Sequence, residues 1–270
     1  DLPFEPDYNS LDSKRTLFEN LKNPDTDILV SIGGGSVIDF AKGIATLCTN
    51  HNNAIHYKGF PDNLNPSIPV IACPSTLGTA SEVTYNAVFT DKETERKLGI
   101  NTKNNFPILS ILDPNLIIGS PKSVMISSGL DALVHTFESF ANKNSNELTL
   151  MYSTKAYELL ISNLKNAILK NDKESIVKVQ LGSYLAGIAL MNSGSGPAGA
   201  ISYPLGTNFQ IPHGLAGGII LPFLINHNIE NGYLNYSGLI SNKSLVNEMK
   251  IKLSKEVLKT ITDLYSDLMV

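Results

Sequence analysis

Short apolar runs alternate with helical stretches in the first half of the chain, whereas the second half keeps only helical spacing. Asp27 to Ile32 is an apolar run ending at a glycine turn, which predicts a buried parallel strand. Ser36-Val37-Ile38-Asp39 has capping-box form, with a hydroxyl for free amides and an acid three residues later, and Phe40 to Cys48 continues helically. The unit reads strand, glycine turn, helix. Pro69 to Cys73 and Ile108 to Leu112 predict two further strands, each closed by a proline step. Val83 to Phe89 and Lys97 to Ile100 flank the charged turn Asp91 to Arg96 and predict a β-hairpin able to close over a ligand. From Pro121 onward, Leu130 to Phe140, Leu148 to Ile168, Ile176 to Met191, Leu215 to Ile225 and Val246 to Leu268 have helical spacing or length. The organisation expected is an α/β domain over 1–120 and an all-helical domain over 121–270, with a ligand cleft between them.

Composition narrows the function classes. The chain has 270 residues, 42% hydrophobic and 17% charged, as a globular protein with a substantial core does. A net charge of −4 without a dense Lys/Arg cluster leaves no electrostatic footprint for nucleic acid or an anionic membrane, so a small-molecule partner is expected. The most apolar stretch, Leu215 to Ile225, is interrupted by Gly217, Gly218 and Pro222 and falls short of the ~20 residues a spanning helix needs. Cys48 and Cys73 form no CxxC pair, which suits a reducing compartment and a cytoplasmic reading. The chain starts at Asp1 without a leader pattern and reads as part of a longer protein.

Two patterns carry candidate chemistry. Gly33-Gly34-Gly35-Ser36 lets the backbone approach a phosphate, whose charge the amides and positive end of the next helix favour. Alone, such a turn is equally a tight connection with no ligand. Pro74 to Glu82 follows the second strand and packs Ser75, Thr76, Thr79, Ser81 and Glu82 at the sheet's carboxyl edge, where open α/β sheets bind ligands. In the helical half, Asp131 and His135 stand four residues apart, so both project from one helix face and can grip one ion. A lone Asp–His pair is as easily a surface pair or a satisfied core histidine. His213 changes the weighing, because Pro212 and Gly214 mark a fixed helix start from which its ring can aim into a cleft.

Taken in order, these segments resemble the iron-containing (group III) alcohol dehydrogenases: Gly33 to Ser36 with Asp39 and Lys42, Pro74 to Glu82, Asp113-Pro114, Gly129 to His135 with Glu138, and Tyr203-Pro204-Leu205-Gly206 leading to Pro212-His213-Gly214. The resemblance implies the dehydroquinate synthase-like fold, a Rossmann-like α/β domain lacking its first strand-and-helix unit followed by an all-α domain. It implies NAD(P)-linked interconversion of an alcohol and its aldehyde or ketone, assisted by Fe²⁺ or Zn²⁺, and a homodimer by analogy. Gly33, Gly34, Gly35, Ser36, Asp39, Thr76, Thr79, Ser81 and Lys97 become cofactor-binding candidates. Asp131, His135 and His213 become metal ligands, with Tyr203 a candidate proton relay. Residues choosing NAD or NADP would precede Asp1. Two departures stand out: Gly199 occupies the place of a further ligand histidine, and Ala80 that of a glycine. A glycerol dehydrogenase-like or dehydroquinate synthase-like enzyme on a polyhydroxy substrate is the enzymatic alternative. The contrasting class is a non-catalytic relative that keeps only nucleotide binding.

Overall fold

A computed structural model describes residues 6–21, 28–231 and 247–268. The chain divides into two compact units, one formed by 1–76 and 80–116, the other by 77–79 and 117–270.

In the first unit, helix α1 (Tyr8–Leu21) precedes strand β1 (Leu29–Gly33), helix α2 (Gly35–Leu47) and strand β2 (Val70–Pro74). β1 pairs with β2, and β2 with the short strand β5 (Leu109–Ser110), all parallel in the order β1-β2-β5. The crossover element α2 buries Phe40, Ile44 and Leu47 in a cluster with Tyr8, Leu11 and Phe89, while its Ala41 and Ala45 pack with Val70. The opposite sheet face differs from expectation. Val30 and Ile32, read as buried from their apolar run, are 58% and 60% exposed, and Leu109 and Ile111 join them at 51% and 44%. The strands are parallel as predicted, but α2 covers only one side of them.

The predicted hairpin is present in reduced form. β3 (Thr90–Asp91) and β4 (Arg96–Lys97) pair antiparallel, and the pairing runs on through the Leu98 and Ile100 amides, which donate to Phe89 O and Ala87 O, while the rest of Val83 to Phe89 is irregular, with its Val88 amide and Asn86 carbonyl bonded by Asp39 and Lys42. The capping box is also corrected. The cap is Gly34, extended at φ −73° and ψ 179°, and no side chain bonds the first-turn amides of α2. Ser36 lies inside the first turn, exposed, and Asp39 turns toward the 81–88 segment instead.

The regular structure of the second unit, among its described residues, is helical: α3 (Lys122–Ala141), α4 (Glu147–Lys170), α5 (Lys173–Ser193), α6 (Pro197–Phe209), α7 (His213–Glu230) and α8 (Asn247–Leu268). Starts are specified locally where polar caps exist. Asn146 accepts from the amides of Leu148 and Thr149 in a full capping box, and Asp172 accepts from Ser175. α3 is the central element: its residues from Ser128 to Phe140 are buried except the partly exposed His135, and Leu130, Leu133, Phe137 and Phe140 join Leu160, Leu164, Ile176 and Ile225 in one core. Two helices escaped sequence reading. α1 carries a mostly polar surface, and α6 contains Pro197, Gly199, Pro204 and Gly206, a composition typical of loops. Among the described residues, no helix is long and apolar enough to cross a membrane.

Candidate functional site

The glycine turn of the first unit is built by close approach. A Cβ on Gly33 would lie 2.6 Å from Val37 Cβ, and one on Gly34 would lie 3.1 Å from Thr76 Cγ2. The Ser75 amide donates to Gly33 O at 2.9 Å, holding the segment after β2 against the turn. Beside it, Thr76 Oγ1 is buried with no hydrogen-bond partner. Uncapped helix amides, a glycine cradle and an orphaned hydroxyl form a donor set that fits a phosphate-bearing cofactor. Gly33, Gly34, Gly35, Ser36 and Thr76 are therefore brought together.

Asp39 and Ser81 are placed otherwise. Ser81 Oγ donates to Asp39 Oδ1, Asp39 Oδ2 accepts from the Val88 amide at 3.0 Å, and Lys42 Nζ donates to Ser81 Oγ and Asn86 O, each at 2.9 Å. Lys42 is fully buried, and burial lowers its pKa against the opposing pull of Asp39 and Glu82. Glu82, also buried, has its carboxyl pushed up by desolvation. This buried network braces the 81–88 segment against α2, so Asp39 and Ser81 spend their bonding groups internally. Ala80, at its edge, adopts the left-handed region at φ 53°, the conformation a glycine would hold without strain. Lys97 stands on β4 opposite Thr90.

Thr79 belongs to the second unit, where its Oγ1 is buried without a partner. Its neighbour Gly78 is packed so closely on α3 that a Cβ there would meet Ser128 O at 1.8 Å.

The helical unit gathers Asp131, His135 and His213. Asp131 and His135 share a face of α3, and His213 opens α7. α7 reaches α3 through glycines: a Cβ on Gly214 would lie 2.1 Å from Ser127 O and 2.8 Å from Asp131 Cβ, and one on Gly218 would lie 2.7 Å from Leu130 Cδ1. The Leu215 amide donates to Ser127 Oγ at 3.2 Å at the same crossing. His135 Nε2 lies 3.7 Å and His213 Nε2 3.9 Å from one oxygen, Asp131 Oδ1. A tetrahedral ion with ~2.1 Å bonds would separate its ligand atoms by about 3.4 Å. The three groups thus converge outside coordination spacing, and among the described residues no group of three or more His, Cys, Asp or Glu side chains stands close enough together to hold a metal ion.

Electrostatics shows what this convergence favours. Burial raises the Asp131 pKa to about 6, with the positive charge of His213 opposing. Burial lowers the pKa of His135, with Glu138 opposing. Both shifts come chiefly from desolvation, which disfavours charge of either sign, so without a ligand Asp131 and His135 both favour their neutral forms. One carboxylate and two imidazoles are donors suited to Zn²⁺ or Fe²⁺. By donor type, though not by spacing, the residues present fit a divalent metal.

Two supporting residues were not singled out as site residues by sequence. Glu138 accepts from the Ala198 amide at 2.7 Å and is lowered in pKa by the Gly196 and Gly199 amides, although burial raises it overall. This carboxylate from α3 caps the start of α6. Ser202, buried on α6, bonds Gly199 O and His213 Nδ1. Tyr203 stacks on His213 with ring centroids 5.0 Å apart at 27°. Among the described residues, no atom beyond its own helical turn lies within 4 Å of where a Gly199 side chain would begin. The available signals were the acid seven residues after Asp131 and the glycine spacing of α7, whose partners only the fold reveals.

The chain thus carries an α/β unit with a glycine cradle and a helical unit with an Asp–His–His cluster. The chain matches the family described as iron-containing alcohol dehydrogenase over residues 5–114 and the family's C-terminal region over residues 125–270. It belongs to the iron-containing alcohol dehydrogenase family. It is 36% identical over 204 residues to 1,3-propanediol dehydrogenase of Klebsiella pneumoniae, covering 75% of this chain and 53% of that protein. It is 33% identical over 211 residues to lactaldehyde reductase of Escherichia coli strain K12, covering 77% of this chain and 55% of that protein. The solved structure of a 1,3-propanediol oxidoreductase superposes with TM-score 0.88 at 30% identity, over 99% of this chain and 70% of that one. Sulfoacetaldehyde reductase from Bifidobacterium kashiwanohense, solved in complex with NAD⁺, gives 0.85 at 26% identity, over 99% and 69%. The chain spans about half the length of the curated relatives it matches.

Proposed function

We propose that the protein is an NAD(P)-linked oxidoreductase interconverting a small alcohol and its aldehyde or ketone, with Asp131, His135 and His213 holding Fe²⁺ or Zn²⁺. The observation carrying this reading is the convergence of the His135 and His213 Nε2 atoms on Asp131 Oδ1. The ion would supply Lewis-acid polarisation of the substrate oxygen and lower the pKa of an alcohol. Asp131 contributes the balancing negative charge, and the neutral imidazoles contribute lone pairs. The amides of Gly35 and Ser36 at the start of α2 bind a cofactor phosphate, and the Thr76 hydroxyl gains a partner from the same cofactor. The stacking of Tyr203 on His213 supports a role for its hydroxyl in exchanging a proton with the substrate oxygen.

Gly199 stands where a further histidine ligand is expected from the resemblance, and the open space beside it supports a substrate hydroxyl taking that place. This favours a diol, hydroxyaldehyde or larger polyhydroxy substrate, and the relatives named for 1,3-propanediol and lactaldehyde are consistent with the smaller members of that class.

The test is elemental analysis of protein purified without chelator, paired with NADH and NADPH oxidation against small aldehydes and hydroxyaldehydes, with and without added Fe²⁺ or Zn²⁺. About one metal per chain with metal-dependent turnover is expected. Cofactor binding with neither metal nor turnover would overturn the enzymatic reading in favour of a non-catalytic relative.

A further inference from the structure

Of the two imidazoles facing Asp131, one has a defined partner behind it and the other does not. His135 Nδ1 is buried with no hydrogen-bond partner. His213 Nδ1 lies 3.2 Å from Ser202 Oγ, and the same oxygen lies 3.1 Å from Gly199 O. A serine hydroxyl has one proton, and a carbonyl oxygen can only accept. If that proton pointed at His213, Ser202 Oγ and Gly199 O would face each other at 3.1 Å with no hydrogen between them, a repulsive contact at a buried hydroxyl. Both contacts are satisfied only when Ser202 donates to Gly199 O and accepts from the N–H at His213 Nδ1.

We propose that Ser202 is a positioning residue that holds the His213 imidazole in its Nδ1–H tautomer, so that the Nε2 lone pair faces Asp131 Oδ1. The consequence for metal binding rests on the function proposed above, whereas the tautomer does not. A lone pair directed at a carboxylate oxygen 3.9 Å away is unfavourable unless a cation lies between them, so the hydrogen bond prepares this edge for an ion. Tyr203 restrains the ring plane by stacking but leaves the choice of nitrogen open.

Long-range ¹H–¹⁵N spectra of metal-free, ¹⁵N-labelled protein read this directly, with His213 assigned by comparison with His213→Gln. The expected spectrum shows the proton on Nδ1 and an unprotonated Nε2. Ser202→Ala should move the population toward the Nε2–H form and weaken Zn²⁺ binding, measured by chelator competition, by about 10–100-fold. Ser202→Thr, which keeps the hydroxyl, should restore both. An Nε2–H ring in the wild-type protein overturns the proposal whatever the variants do. So does a Ser202→Ala protein with unchanged tautomer. A wild-type Nδ1–H ring in a protein that takes up no Zn²⁺ or Fe²⁺ would uphold the positioning of His213 and refute its role as a ligand.

Discussion

Replacing Asp131 by asparagine separates the stability of the helical unit from its chemistry. The carboxylate is 6% exposed, and burial lifts its pKa from 3.8 to about 6. Two pKa units correspond to roughly 3 kcal/mol at ~1.4 kcal/mol per unit. Because the folded-state value lies above the unfolded one, the folded protein retains this proton at a higher pH than the unfolded chain does. The contribution is therefore complete below the unfolded value of 3.8 and is lost as pH rises through about 6. Asparagine has similar shape and never ionises. Metal-free Asp131→Asn should match the metal-free wild type near pH 4 and melt higher at pH 8, by up to ~3 kcal/mol or on the order of 6 °C and more. Added Zn²⁺ should reverse the order by stabilising only the wild type. The assay is a series of thermal melts across this pH range with chelator and with Zn²⁺. An asparagine variant less stable than metal-free wild type at pH 8 would refute the reasoning, because ionised Asp131 would then already be balanced within the protein.

Four further outcomes follow from local packing and hydrogen bonding. Gly214→Ala should cost about 2–3 kcal/mol or more and abolish Zn²⁺ uptake, since its Cβ would meet Ser127 O at 2.1 Å and push His213 away, whereas Gly199→Ala, facing open space, should be neutral or stabilising by up to ~1 kcal/mol in denaturant unfolding. Lys42→Ala leaves the carboxylate of Asp39 without its buried cation and should lose about 3–5 kcal/mol, with faster proteolysis in the 81–88 segment as a local check. Glu138→Ala deprives the start of α6 of its acceptor and should cost about 1–3 kcal/mol, with amide exchange accelerated at Ala198 and Gly199 and less so in Glu138→Gln.

Much of the framework was legible because it rests on local rules. β1 and β2 fall within two residues of their predicted positions, and α4, α5 and α7 enclose the stretches expected of them, since apolar periodicity, Asn146 and Asp172 mark them without outside help. Misreadings arose where a partner came from elsewhere in the chain. Ser36 and Asp39 have capping-box spacing, yet Lys42, Ser81 and Val88 offer Asp39 better bonds than the helix start does. α6 was not among the predicted helices, and the carboxylate that caps it is a glutamate some sixty residues earlier. Val30 and Ile32 looked buried because an apolar strand does not state how many of its faces are covered.

The sequence by itself determined the residue types and periodicities: a glycine turn between strand and helix, an acid and an imidazole one helical turn apart, and a third ligand candidate at a proline-marked helix start. These depend on spacing along one element, which chain geometry converts into a shared face. Only the tertiary structure decided that His213 meets Asp131, because glycines at 214 and 218 let two helices separated by some seventy residues approach closely. It alone decided which polar groups are spent internally, as at Asp39 and Ser81, and which buried ones are left without a partner, as at Thr76 and His135 Nδ1. Hydrogen-bond partners and desolvation belong to three-dimensional neighbourhoods, and no pattern of residues along the chain specifies them in advance.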